Sequence, residues 1–205
     1  HKSSHSFPTR RSSDLPPFWL GYIGSDDVDK DTARVKAAGG KVHSEPADIP
    51  GIGRFAVVAD PHGASFVLFR GAATDQMPAA APAYTPGHIG WRELHAGNGE
   101  EAFAFYAEMF GWTKAEAMDM GPLGIYQIYA INGESAGGMM TKMADTPAPM
   151  WLYYVCVDDI DAAVTRAKDA GGKQLLETHE VPGGMWISQF LDPQGAMFAM
   201  VGPRR

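Results

Sequence analysis

One cysteine stands in 205 residues, and that scarcity is the first constraint. Cys156 alone cannot build an internal disulfide framework or a cysteine-based zinc cluster, and a solitary thiol suits a reducing cytoplasm. Long apolar runs are missing as well. None approaches the roughly eighteen residues that span a bilayer, so no membrane partner is expected. Positive charge is in deficit, with 17 Lys and Arg against 24 Asp and Glu and a net charge of −7. That balance gives no electrostatic reason to expect nucleic acid. No phosphate loop or dinucleotide fingerprint occurs, and the glycine pairs at 39–40, 137–138, 171–172 and 183–184 read as backbone devices. What remains, 45% hydrophobic and 20% charged residues, is the composition of a globular chain.

The opening HKSSHSFPTRRSSDL lacks both the apolar core of a secretory signal and an amphipathic period. His5–Leu15 matches the in-frame translation of a common sequencing-library adapter. We therefore expect residues 1–15 to be non-native, joined to a chain interrupted upstream of Pro16. Without Lys2, Arg10, Arg11 and Asp14 the net charge becomes −9.

Self-comparison is the most informative reading. Residues 17–71 align without a gap on 149–203, at an offset of 132, with 21 identities in 55 pairs. PFWLGYIGSDDVD matches PMWLYYVCVDDID, and DPHGASF matches DPQGAMF, so the segment is duplicated. Each copy reads as an aromatic strand, an Asp-Asp helix cap, a helix ending at Gly-Gly, and three further strands around a tight Asp-Pro-x-Gly turn. That is a βαβββ unit. Residues 87–148 form a more diverged third unit, with HIGWRELHA as a strand and GEEAFAFYAEMFGW as an amphipathic helix carrying Phe103, Tyr106 and Phe110 on one side. Residues 72–86, rich in Ala and Pro, read as a linker, and the short DTPAP joins the last two units.

The pieces AFAFYAEMFGW, VDDIDAAVTRAKDAGG, LDPQGAMFAM and VADPHGASFVLF resemble the vicinal-oxygen-chelate superfamily, which includes glyoxalase I, extradiol dioxygenases and bleomycin-resistance proteins. The resemblance runs from Pro16 onward. It implies an α+β fold in which paired βαβββ modules form a curved mixed sheet around a ligand cup, here with three modules present. Residues 87–205 would be a complete domain. Residues 16–71 would be the C-terminal half of a truncated first domain. The exposed sheet edge of that half would allow a homodimer through paired modules.

The resemblance also implies where a divalent metal would sit, on His, Gln or Glu at the first and last strands of each module. Here those positions fall near Trp91, in SAGGMM, near Leu152 and at Ala199, with Leu20 and Val67 in the truncated half. None can ligate a metal, so no cofactor is assigned to the usual site, and a divalent metal would need other donors. Other residues carry the candidate chemistry. In WRELH, Trp91, Glu93 and His95 alternate and share one strand face. Glu93 and His95 are the candidate acid/base pair, and Trp91, Tyr154, Trp186 and His179 the candidate ligand contacts. Tyr154 shares a face with Leu152 and Cys156. His179, in LLETHEVPGG, precedes a Gly-rich turn that could form the cup's rim. Met139, Met140, Met185, Met197 and Met200 supply adaptable apolar surface. The expectation is a cytoplasmic protein that binds a small organic ligand without the usual metal. The alternative is a metal-dependent, glyoxalase-like lyase or dioxygenase with a displaced site on Glu93 and His95.

Overall fold

The second aspartate of each Asp-Asp pair sets where a helix begins. In the computed structural model, which describes residues 17–72 and 81–205, Asp27 accepts a hydrogen bond from the Lys30 backbone N–H at 3.0 Å. Its repeat equivalent Asp159 accepts from Asp161 N–H at 3.0 Å. Both residues are extended, with φ of −148° and −152°, and such caps contribute about 1 kcal/mol each. They launch α1 (Val28–Ala37) and α3 (Ile160–Asp169). The third helix, α2 (Gly99–Phe110), is capped by Asn98 and stopped at Gly111, whose φ of 70° favours glycine.

Three strands follow each helix. The N-terminal set is β1 (Tyr22–Gly24), β2 (Lys41–Ile49), β3 (Gly53–Ala59) and β4 (Ser65–Gly71), ordered β1-β4-β3-β2 in one sheet. The remaining strands are β5 (Ile89–Ala96), β6 (Thr113–Asp119), β7 (Ile125–Ile131), β8 (Glu134–Thr141), β9 (Met150–Cys156), β10 (Lys173–Val181), β11 (Met185–Leu191) and β12 (Met197–Gly202). They make a single mixed sheet ordered β10-β11-β12-β9-β5-β8-β7-β6. Its halves meet at the antiparallel pair β5–β9, where Glu93 lies opposite Leu152 and Trp91 opposite Tyr154. The expected adapter-like segment and half of the expected linker fall outside the described residues.

The sheet's two faces have different cores. On the helix side, Ala102, Phe105, Tyr106 and Met109 of α2 are buried with Leu94 and Met139. The sequence periodicity picked Tyr106 correctly, but Phe103 is only partly buried, under Lys114. On the opposite face, Leu152, Tyr154, Cys156, Ala199 and Val201 form a separate cluster.

The first core also joins the two sheets. Phe66, Leu68, Val28 and Val35 of the N-terminal unit share it with Tyr106, Trp112, Tyr129 and Trp151. Trp112 stacks on Tyr129 at 4.5 Å and on Tyr106 at 5.1 Å. Tyr106 is the polar hub of this aromatic block. Its hydroxyl donates to Asp60 Oδ2 at 3.3 Å and accepts from Trp151 Nε1 at 3.1 Å. Burial pushes the Tyr106 phenol and the Asp60 carboxyl above their ordinary pKa values. Asp60 Oδ1 also receives the N–H groups of His62, Gly63 and Ala64, so the Asp-Pro-x-Gly turn is fixed by the same side chain that reaches across the junction. His62, in the same turn, is part of that junction. Its Nε2 is 3.0 Å from Glu101 Oε2, and it occupies the space where a side chain on Gly97 would project.

Removing the Tyr106 hydroxyl while keeping the ring isolates this hub. Tyr106→Phe leaves the buried Trp151 N–H without its acceptor, so we expect a loss of about 1–3 kcal/mol. Equilibrium urea unfolding would measure it as a lower midpoint with unchanged slope.

Candidate functional site

Strand alternation puts Trp91, Glu93 and His95 on one face of β5, while Leu94 and Ala96 enter the α2 core. That places a carboxylate in the middle of an eight-stranded sheet. Glu93 is only 9% exposed, and a buried carboxylate is costly unless it is hydrogen-bonded. Two phenols meet the requirement. Tyr126 of β7 donates to Glu93 Oε2 at 2.9 Å, and Tyr154 of β9 donates to Oε1 at 3.1 Å. Each phenol is itself supported, Tyr126 by Trp91 Nε1 at 2.8 Å and Tyr154 by Gln189 Nε2 at 3.1 Å. The network therefore links β7, β5, β9 and β11 across the junction of the two halves.

Burial, and then the Glu93 charge, hold both phenols protonated far above the ordinary tyrosine range. They act as hydrogen-bond donors throughout the physiological range. Space for the Tyr126 ring comes from Gly138, the residue paired with Glu93 across β5–β8. A Cβ there would overlap the ring, and one at Gly137 would overlap Tyr129 and the Arg92 carbonyl. This glycine pair makes room for side chains.

His95 sits beside the carboxylate. Its Nε2 is 2.8 Å from Glu93 Oε1, but the contact is off the line that a ring N–H needs, and Nε2 has no hydrogen-bond partner among the described residues. A buried imidazole nitrogen beside a carboxylate is the polar feature that sets this face apart.

The remaining candidates divide. Trp91 and Tyr154 join Glu93 in the network. His179 lies on the outer strand β10 rather than in a loop. It is exposed, with Nδ1 3.0 Å from the Glu177 carbonyl, and is paired with Ile187 of β11. Trp186 corrects the sequence reading. On β11 it shares parity with Ser188 and Phe190, packs against the cluster that includes Ile160 and Ala163 of α3, and carries the Arg204 guanidinium 4.5 Å above its ring. Gln189, three residues on, takes the Glu93 side instead. Cys156 is buried against Gly90, and burial raises its thiol pKa, so it is a packing residue.

Tyr126 and Gln189 were missed in the sequence. The alternation in YQIYAI could have put Tyr126 on a defined face, but only the pairing of β7 with β8 brings that face to Glu93.

A divalent metal needs three or four converging donors. Glu93 and His95 supply two, both Glu93 oxygens already accept phenol protons, and no group of three His, Cys, Asp or Glu residues forms among the described residues. The positions where the resemblance would put metal ligands, Trp91, Leu152 and Ala199, belong instead to the apolar cluster of this face. The donor set does not fit such an ion.

Comparison with known proteins gives the family and the fold. The family model described as Glyoxalase/Bleomycin resistance protein/Dioxygenase superfamily matches residues 3–68 and 86–200. The chain is 35% identical over 189 residues to the anthracycline biosynthesis protein DnrV of Streptomyces peucetius, covering 91% of this chain and 66% of that protein. It therefore spans just under two thirds of that relative's length. The fold is similar to the Mn(II)-bound glyoxalase from Novosphingobium aromaticivorans, with a TM-score of 0.60, 21% identity, and coverage of 90% of this chain and 62% of that one. It is also similar to the 2,2',3-trihydroxybiphenyl 1,2-dioxygenase of Sphingomonas wittichii, with a TM-score of 0.59, 13% identity, and coverage of 89% and 70%.

The phenol network gives a pH prediction with a definite sign. Folded-state phenol pKa values raised above the ordinary 10.0 contribute stability fully present below pH 10, and lost as pH rises beyond it. Glu93→Gln removes the neighbouring charge, so the tyrosinate absorbance of Tyr126 and Tyr154 should emerge at lower pH than in the parent. Difference absorbance during alkaline titration measures this.

Proposed function

This chain belongs to the Glyoxalase/Bleomycin resistance protein/Dioxygenase superfamily, and from that membership we propose that residues 87–205 bind a small organic ligand without a metal. What carries the reading is His95 Nε2, unpartnered at 2.8 Å from a buried carboxylate. Nε2 is closed to solvent in this conformation, so a turn of the imidazole, which Glu93 orients, is needed for a ligand hydroxyl or carbonyl to complete its hydrogen bonding. Trp91, Met150, Met185, Ile187 and Met197, partly buried around this cluster, supply adaptable apolar contact. Tyr126, Tyr154 and Gln189 hold the carboxylate in place.

The same element order, one strand, one helix and three strands, supports reading residues 87–205 as two paired βαβββ modules and residues 16–71 as one further module. The 132-residue repeat supports it independently.

Enzyme action has one observation in its favour. An imidazole without a partner next to a carboxylate is also the arrangement of an acid/base pair. In that second reading Glu93 and His95 exchange a proton with the bound ligand, and a displaced metal would require a third donor from the ligand itself.

A thermal-shift screen of small phenols, aromatic acids and hydroxy-carbonyl compounds separates these readings. We expect stabilising compounds whose effect is unchanged by EDTA and lost in His95→Ala. Stoichiometric Zn, Ni, Mn or Fe on the purified chain, lost in Glu93→Ala, would overturn metal-free binding. Turnover of a bound compound that stops in Glu93→Gln would establish the second reading.

A further inference from the structure

His95 has two neighbours on its own face that the phenol network leaves out. It lies opposite Met140 of β8 and opposite Met150 of β9, and paired positions project to the same side of a sheet. The cores agree with that parity. Met139 and Trp151, the strand neighbours of these two methionines, enter the cluster on the helix side, while Met150 packs with Leu152 and Tyr154 on the other. An imidazole therefore stands between two thioethers, one from each half of the sheet. All three residues are partly buried.

The two nitrogens of the ring have different surroundings. Nε2 is turned to Glu93 Oε1 at 2.8 Å and is closed to solvent. Nδ1 makes no hydrogen bond among the described residues and is not closed off with it. Directly opposed residues have Cβ atoms about 4.5–5.5 Å apart. Nδ1 and a methionine sulfur each lie two bonds beyond Cβ, and the unbranched methionine chain is flexible. Both sulfurs can thus reach an atom held at Nδ1. The donor set is soft, since thioethers select Cu(I) over ions that prefer oxygen. Charge points the same way. Imidazole and thioethers bring none, and no Lys or Arg is paired with Glu93 among the described residues. A single positive charge beside that carboxylate leaves the site neutral, whereas a double one would leave an excess inside an apolar cluster.

We propose that Nδ1 of His95 and the sulfurs of Met140 and Met150 form a site for a soft monovalent metal ion, Cu(I), spanning β8, β5 and β9. Glu93 holds the imidazole from behind. A small turn of the ring brings its Nε2–H into line with Oε1, and a carboxylate on the far nitrogen of a ligating histidine fixes the ring and raises its basicity. Trp91, Leu152 and Ala199, where the resemblance puts ligands for a divalent ion, take no part. The inference goes beyond the organic-ligand reading, which uses Nε2 and stands or falls by a separate screen.

Anaerobic titration of the full-length chain with Cu(I), in competition with a chromophoric Cu(I) chelator, tests it. One Cu(I) should bind per chain, and Ag(I), a redox-inert ion of the same charge and softness, should displace it. Met140→Leu combined with Met150→Leu keeps size and apolarity, so the fold should be retained and the Cu(I) lost. Glu93→Gln should weaken binding by about tenfold or more through the imidazole. Cys156 is the competing soft donor, and Cys156→Ser should bind Cu(I) as the parent does. X-ray absorption at the copper edge decides the matter if a variant fails to fold: one nitrogen and two sulfur neighbours are expected, and a single sulfur would overturn the site. A parent chain that binds no Cu(I) would overturn it too. So would binding that survives in the folded double-leucine variant, or that disappears in a folded Cys156→Ser variant.

Discussion

A charge held inside a sheet constrains everything around it. Glu93 sits at the junction of β5 and β9, shielded from solvent, and its two oxygens must be satisfied locally. That single demand accounts for a tyrosine on β7, a tyrosine on β9, a glycine opposite on β8, and an indole and an amide behind the phenols. The demand also fixes the relative placement of the two halves of the sheet, since one phenol comes from each. A hydrophobic residue at position 93 would need none of these partners. Retaining the carboxylate therefore specifies geometry, and that geometry places the His95 imidazole.

The opposite face solves a different problem. There the strands must hold two sheets together, and an aromatic block of Tyr106, Trp112, Tyr129 and Trp151 does so with Phe66 from the other unit. A buried polar line crosses it, from Trp151 through Tyr106 to Asp60. The two faces share strands but not residues. Trp151 and Tyr153 look toward the N-terminal unit while Leu152 and Tyr154 look toward Glu93. Adjacent side chains thus serve separate purposes through the two-residue period of the strand.

Much of this was legible in the residues. The Asp-Asp caps, the Gly111 stop, the repeat and the shared face of Trp91, Glu93 and His95 are local features, and local chemistry decides them. The α+β class and the superfamily followed from the motifs. Apolar residues at the positions expected to bind metal were likewise visible in the sequence. Three things were not. Tyr126 and Gln189 reach Glu93 only through strand order, which no local pattern encodes. Trp186 was put among the ligand contacts because it is large and aromatic, but the parity of β11 depends on its register with β12, where Trp186 pairs with Gly202 and Gln189 with Ala199. The glycines at 137 and 138 read only as backbone devices, and the rings packed over them show that they make room for side chains.

The junction centred on Tyr106 changes what the boundary between the units means. A linker rich in alanine and proline suggests two bodies that could be separated by a cut. Severing the chain between them would nevertheless leave Phe66, Leu68 and Val35 packed with Phe105, Tyr106 and Trp112 in one continuous core. The nicked halves would stay associated as a noncovalent complex, and either half prepared alone would present a broad greasy surface to water. For anyone trimming this protein, the shortest piece that keeps its interior closed runs through both units.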